Sequence, residues 1–306
     1  MLVFGTLAGC GGGRPMSSAP NWMGVFSTTA FVKPRGDASA TERVADLGRS
    51  TPVPGNAMQA GSAGGALALL RTRDGDVVVM PRGGALVAYN VRTGAAVAPP
   101  AIASGSDGLM GVSLGDRHVL VSDTSGLVRK LARGATGAAA TLDAWKGLSA
   151  PRDAVELSDG KIVVAESGSG RLALLSSQGV VGVLADGLSE PTGIVADGRG
   201  LYVTEAGAGR VLRIDPVTGQ RVVVAQGLAR PEGIARTVSG RLIVAEAGTD
   251  RIVEVTPTTG AVATLATDTR FGRADRPGFA GVAVASDGAI FFVSETDGAL
   301  YRLTPR

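Results

Sequence analysis

One cysteine, one histidine and 4% aromatic residues are all that this 306-residue chain carries of those types. A lone Cys10 cannot close an internal disulfide. His118 cannot by itself build a histidine-rich metal centre, and it is the sole side chain whose ordinary pKa suits proton transfer near neutrality. No apolar run approaches the ~18 residues of a membrane-spanning helix. Cations are scattered, 30 Lys and Arg against 27 Asp and Glu, with no dense basic run and no interleaved aromatics. That pattern excludes nucleic acid as a partner. Walker-type loops, EF-hand loops and the GxSxG elbow are missing as well.

Glycine, at 46 residues, is plentiful beside Val, Ala and Leu. Such a mixture suits many tight turns between short strands. At this length roughly 75% of the unfolded surface is buried on folding, so neither metal nor disulfide is needed for a core.

The glycines fall in a repeat. GLSEPTGIVADGRGLYVTEAGAGRVLRIDPVTGQRVVVA (187–225) is followed by GLARPEGIARTVSGRLIVAEAGTDRIVEVTPTTGAVATLA (227–266), and GLSAPRDAVELSDGKIVVAESGSGRLALLSSQGVVGVLA (147–185) precedes both. A period of about 40 residues made of short β-like runs marks a β-propeller, with one four-stranded sheet per repeat. Strand A follows the proline, strand B is LYVTE, strand C is RVLRID and strand D is RVVVA. Weaker copies at 64–94, 108–131 and 279–306 bring the count to six. The sixth stops at its strand C, and an unpaired edge invites aggregation. TERVADLG (41–48) fits as the missing strand D, which gives an all-β, six-bladed propeller closed by an N-terminal strand. FSTTAFVKP (26–34) is a further strand candidate, so seven blades is the alternative.

Antiparallel connectivity puts the loops leading into strand A and the B–C turns on one face. The acid ending strand B recurs there as Asp123, Glu166, Glu205, Glu246 and Glu295. Arg171, Arg210 and Arg251 stand five positions later, which reads as turn-shaping exposed ion pairs worth about 0–1 kcal/mol each. His118 falls at an A–B turn and reads as a surface histidine of the opposite face. Residues after the proline, Arg152, Thr192 and Glu232, face the channel mouth, and Gly64, Met110 and Ala280 align with them in the other three repeats. Two long connections, 48–63 and 267–278, rise over the same face, and Arg270, Arg273 and Arg276 give the second a positive field suited to an anionic group.

Leu7-Ala8-Gly9-Cys10, closing the apolar stretch Leu2 to Ala8 and followed by three glycines, resembles a bacterial lipoprotein signal. That resemblance implies a signal peptide at 1–9, lipidation of Cys10, a flexible tether over 10–25 and a single propeller domain over 26–306. It also implies a cell-envelope location, periplasmic or extracytoplasmic, with membrane contact only through the anchor. A chance cysteine in an apolar leader is the other reading.

The pattern P-x-G-I-x-x-x-x-x-G-x-L-Y-V-x-E-x-G-x-x-R-V resembles the NHL-repeat propellers and the wider gluconolactonase-like, streptogramin-lyase-like and ScyD/ScyE-like superfamily. The resemblance implies a six-bladed propeller. Its lactonase branch uses a divalent metal held by Glu, Asn and Asp at the channel mouth. Of these only Glu232 and Asp153 have counterparts here, and Arg152 would repel a cation. Its streptogramin-lyase branch relies on histidines, and His118 is placed on the wrong face. The expectation is a non-catalytic, monomeric binding propeller needing no cofactor, with Arg270, Arg273, Arg276, Glu232 and Arg152 receiving a protein or an anionic small molecule. The alternative is a lactone or ester hydrolase, with Ca²⁺ or Zn²⁺ on Glu232 and Asp153 activating water.

Overall fold

In blades 3, 4 and 5 every run of alternating Val, Ile and Leu predicted as a strand forms one. Blade 4 consists of Pro191–Ala196, Leu201–Glu205, Arg210–Ile214 and Arg221–Gln226, within a residue or two of the sequence assignment. The computed structural model describes residues 40–46, 67–72, 75–82, 85–97, 108–115, 118–132, 141–272, 279–294 and 299–304. Among these, the strands make six four-stranded sheets. Blades 1 to 5 each run A-B-C-D from inside to outside over 68–97, 109–145, 151–185, 191–226 and 231–266. Among the described residues no helix is long and apolar enough to cross a membrane.

Blade 6 is assembled from both parts of the chain. Val282–Val284, Ile290–Ser294 and Ala299–Thr304 are its strands A to C, and Ala40–Asp46 supplies the fourth. That strand lies antiparallel to strand C, from Ala40 opposite Thr304 to Asp46 opposite Ala299. The molecule is a six-bladed β-propeller closed by an N-terminal strand. The seventh-blade candidate, 26–34, lies outside the described residues.

Alternation along each strand sends side chains to both faces of a blade, so apolar surface is buried between blades rather than in one centre. Six clusters result, one for each pair of neighbours. Val163, Ala165 and Leu172 of blade 3 meet Ile194, Leu201 and Val203 of blade 4, for example. The last cluster, which closes the ring, packs Val78 and Met80 of blade 1 against Ala283, Phe291 and Leu300 of blade 6. A fully buried Leu or Val in these clusters contributes roughly 1.5–3 kcal/mol.

Backbone bonds stitch neighbours on the loop face. Leu148, Leu188 and Leu228 N–H donate to the carbonyls of Gly126, Gly170 and Gly209 in the preceding B–C turns. The residue before each strand-A proline then turns sharply. Ala150, Glu190 and Arg230 have φ of 47°, 48° and 49°, a left-handed conformation uncommon outside glycine.

Candidate functional site

The inner strands converge so closely that most side chains do not fit between them. A Cβ on Gly193 would meet the Glu232 carbonyl oxygen at 2.4 Å, and one on Gly233 the Ala280 carbonyl oxygen at 2.4 Å. Thr204 braces this waist: its buried hydroxyl accepts from Gly193 N–H at 2.8 Å and donates to the Glu232 carbonyl at 2.6 Å. In blade 3 the glycine is replaced by Asp153. Its Oδ1 accepts from Ala154 N–H at 2.8 Å, and its Oδ2 from Ile194 N–H of the next blade at 3.1 Å. Burial pushes this carboxyl up to about 7, against the lowering effect of those two bonds. Beside it a small pocket, lined also by Leu67, Val112, Ile234 and Phe279, holds about 20 Å³ of free space. That is room for about one water molecule.

Above the waist lies a charged mouth. Glu232, almost fully buried, accepts from Arg230 Nε at 2.9 Å and from Ala280 N–H at 2.8 Å. Arg230 reaches the other way to Glu190, Nη1 to Oε2 at 3.2 Å. The buried Thr192 separates Glu232 from Arg152, whose half-buried guanidinium donates from Nε to Ser167 Oγ at 3.3 Å. Arg152 Nη1 is buried and has no hydrogen-bond partner among the described residues. An unmet buried donor of this kind costs about 1–3 kcal/mol. Burial lowers the pKa of Arg152, Glu232 and Glu190 raise it, and Arg230 lowers it further, so these four charges sense one another. Met110 and Ala280, the mouth residues of blades 2 and 6, are buried and apolar.

The structure thus groups two of the sequence-predicted residues, Arg152 and Glu232, at the mouth and puts Asp153 below them at the waist. Arg270 stands apart: its half-exposed side chain pairs with Asp268 at 3.4 Å, and its carbonyl accepts from Ser294 Oγ at 3.0 Å. Arg273, Arg276 and Cys10 lie outside the described residues. Sequence reasoning missed Glu190 and Arg230, which precede the prolines rather than follow them. The shared 40-residue spacing was visible, but their left-handed backbone was not.

Two expectations need correcting. The repeated acids are not exposed: Glu166, Glu205 and Glu246 are all 0% exposed. One oxygen of each accepts from the backbone N–H of Ser149, Ser189 or Ala229 in the loop leading into strand A, at 2.6–2.7 Å. The other meets Nε of Arg171, Arg210 or Arg251, whose side chains are about one-third exposed. The acid faces inward because it closes the strand B edge against that loop. His118 is also buried, at 5% exposure, at the start of strand B of blade 2. Its Nε2 lies 2.9 Å from Glu156 of blade 3, whose second oxygen accepts from Lys130. The ring fits because Gly115 beneath it lacks a side chain: a Cβ there would meet the imidazole at 2.3 Å.

As a metal centre the predicted pair is poorly disposed. Both oxygens of Glu232 and both of Asp153 already accept from N–H donors. Among the described residues no group of three or more His, Cys, Asp or Glu side chains could hold an ion.

No protein-family model matches the chain, and neither does any curated protein. Solved structures do resemble it. A streptogramin B lyase superposes with a TM-score of 0.61 at 14% identity, covering 88% of this chain and 98% of the other. The PQQ-bound aldose sugar dehydrogenase of Streptomyces coelicolor gives 0.58 at 17% identity, with 87% and 98% covered. An auxiliary nutrient binding protein of Bacteroides thetaiotaomicron gives 0.59 at 12%, with 79% and 69% covered. At these identities the likeness is one of fold, and that fold serves a lyase, a dehydrogenase and a binding protein alike.

Proposed function

We propose that the protein is a non-catalytic, secreted or lipid-anchored propeller of the bacterial cell envelope, holding a ligand on the face where loops lead into the inner strands. The observation that carries this reading is Arg152, a cation at the channel mouth with a buried, unpartnered Nη1 beside the Glu232–Arg230–Glu190 cluster. A group that needs a partner and has none among the described residues is suited to an outside one. The ligand is an anionic small molecule or an anionic group on a protein, with Arg270, Arg273 and Arg276 proposed as further contacts for it.

The hydrolase alternative has less support. Glu232 and Asp153 would have to give up N–H partners before either could bind Ca²⁺ or Zn²⁺, and His118 is committed to Glu156 away from the mouth. Nor does the likeness to lyases favour catalysis, since His118 is the chain's sole histidine.

A thermal-shift screen of anionic metabolites and peptides on the wild type and on Arg152→Gln tests the binding reading. Midpoint rises that disappear in the variant support it. Hydrolysis of lactones by metal-loaded protein, lost in Glu232→Ala, replaces it with the alternative. Intact mass of the mature N-terminus checks the anchor, with a diacylglyceryl-Cys10 start as the expected species.

A further inference from the structure

The ligand class can be narrowed by charge. We infer that the mouth takes a small zwitterion, a free α-amino acid or a very short peptide, with its carboxylate on Arg152 and its ammonium on Glu190. This rests on the ligand-holding reading above and specifies what is held.

Arg152 makes one hydrogen bond among the described residues, from Nε to Ser167, and of its Nη1–Nη2 fork the buried Nη1 has no partner among them, so a ligand must enter beneath the atoms that cover it. A carboxylate matches that fork with two parallel bonds. A bare anion would nevertheless be poorly received. Among the described residues the mouth holds Arg152 and Arg230 against Glu190 and Glu232, a sum of zero, and both carboxylates act on Arg152. A monoanion would leave the cluster at −1 with two glutamates facing it, whereas a zwitterion leaves it neutral.

The glutamates differ in what remains to them. Glu232 has both oxygens engaged, by Arg230 and by Ala280 N–H. Glu190 has one oxygen on Arg230 and a side chain 52% exposed, so an incoming ammonium meets Glu190. Size follows from the floor. Thr192, Met110 and Ala280 are buried at the mouth, and the small pocket beside Asp153 has room for about one water, so the ligand rests on its charged ends.

Isothermal titration of the full chain with glycine, diglycine and triglycine, each also N-acetylated and C-amidated, tests this. At least one free zwitterion is expected to bind, with both blocked forms at least ~10-fold weaker, about 1.4 kcal/mol. Arg152→Gln should erase the preference for a free carboxylate, and the exposed Glu190→Gln the preference for a free ammonium. The glycine and triglycine arms separate an amino acid from a peptide. If the acetylated probe binds as tightly as the free one and depends on Arg152, the zwitterion inference falls while the anion-binding mouth stands. If neither these probes nor the anion screen shows Arg152-dependent binding, both fall. The blocked probes are compared on the wild type, so the inference stays open to refutation even if a variant misfolds.

Discussion

The loop face uses glutamate and arginine in two ways. In the B–C hairpins of blades 3, 4 and 5 the pairing is repeated threefold and complete: a fully buried carboxylate, one backbone N–H and one arginine. At the mouth two arginines and two glutamates make a single, unrepeated arrangement: Arg230 serves two acids, and Arg152 has no ion pair among the described residues. The hairpin carboxylate even holds its arginine above the ordinary pKa, whereas burial lowers that of Arg152. Repetition with every donor matched maintains a fold, while a donor unmatched among the described residues is the feature on which the proposed binding rests.

Four changes probe that division. The largest expected effect is Glu205→Ala, which strands Ser189 N–H and releases Arg210. Breaking a buried pair costs about 3–5 kcal/mol, and the partial exposure of Arg210 puts this case near the low end, about 3 kcal/mol by urea unfolding. A loss below ~1 kcal/mol would mean the hairpin latch is ornamental.

Asp153 gives the next effect, through pH. Its carboxyl is raised in the folded chain from 3.8 to about 7, so between those values the folded state keeps a proton that the unfolded state has lost. Stability therefore falls as pH climbs from about 4 to about 7 and is level above. At face value that is about 4 kcal/mol, but with water admitted to the pocket beside it about 2 kcal/mol is expected. Asp153→Asn adds a constant offset where its amide faces Ile194 N–H, yet its midpoint relative to wild type should rise across that window. A flat difference would place the titration elsewhere.

Thr204→Val removes a buried hydroxyl and orphans Gly193 N–H, so about 1–2 kcal/mol should be lost by thermal unfolding. Arg152→Gln removes an unmet buried donor at the loss of one bond to Ser167, so stability should rise by up to about 1 kcal/mol while ligand-induced shifts are abolished. A large loss of stability in that variant would move Arg152 into the structural class and end the comparison.

The architecture was legible because each blade restates it. Pro191 with Pro231 and Glu205 with Glu246 set the register, and the short sixth repeat asked for a strand that 40–46 provides. Burial was less legible. Glu205 reads as a surface acid until the loop carrying Ser189 folds over it, and His118 reads as a turn residue until Gly115 makes room. The mouth was half read: Arg152 and Glu232 follow prolines and were found by spacing, whereas Glu190 and Arg230 reach it through φ near 50°, which no residue pattern announced.

The strand at 40–46 also sets a timetable. It pairs with 299–304, about 250 residues further along the chain, so the ring cannot lock until that later strand has left the ribosome. Until then blade 1 shows the bare side that Phe291 and Leu300 will cover. A cell that makes this protein must shield that apolar flank until 282–304 has been made and docked.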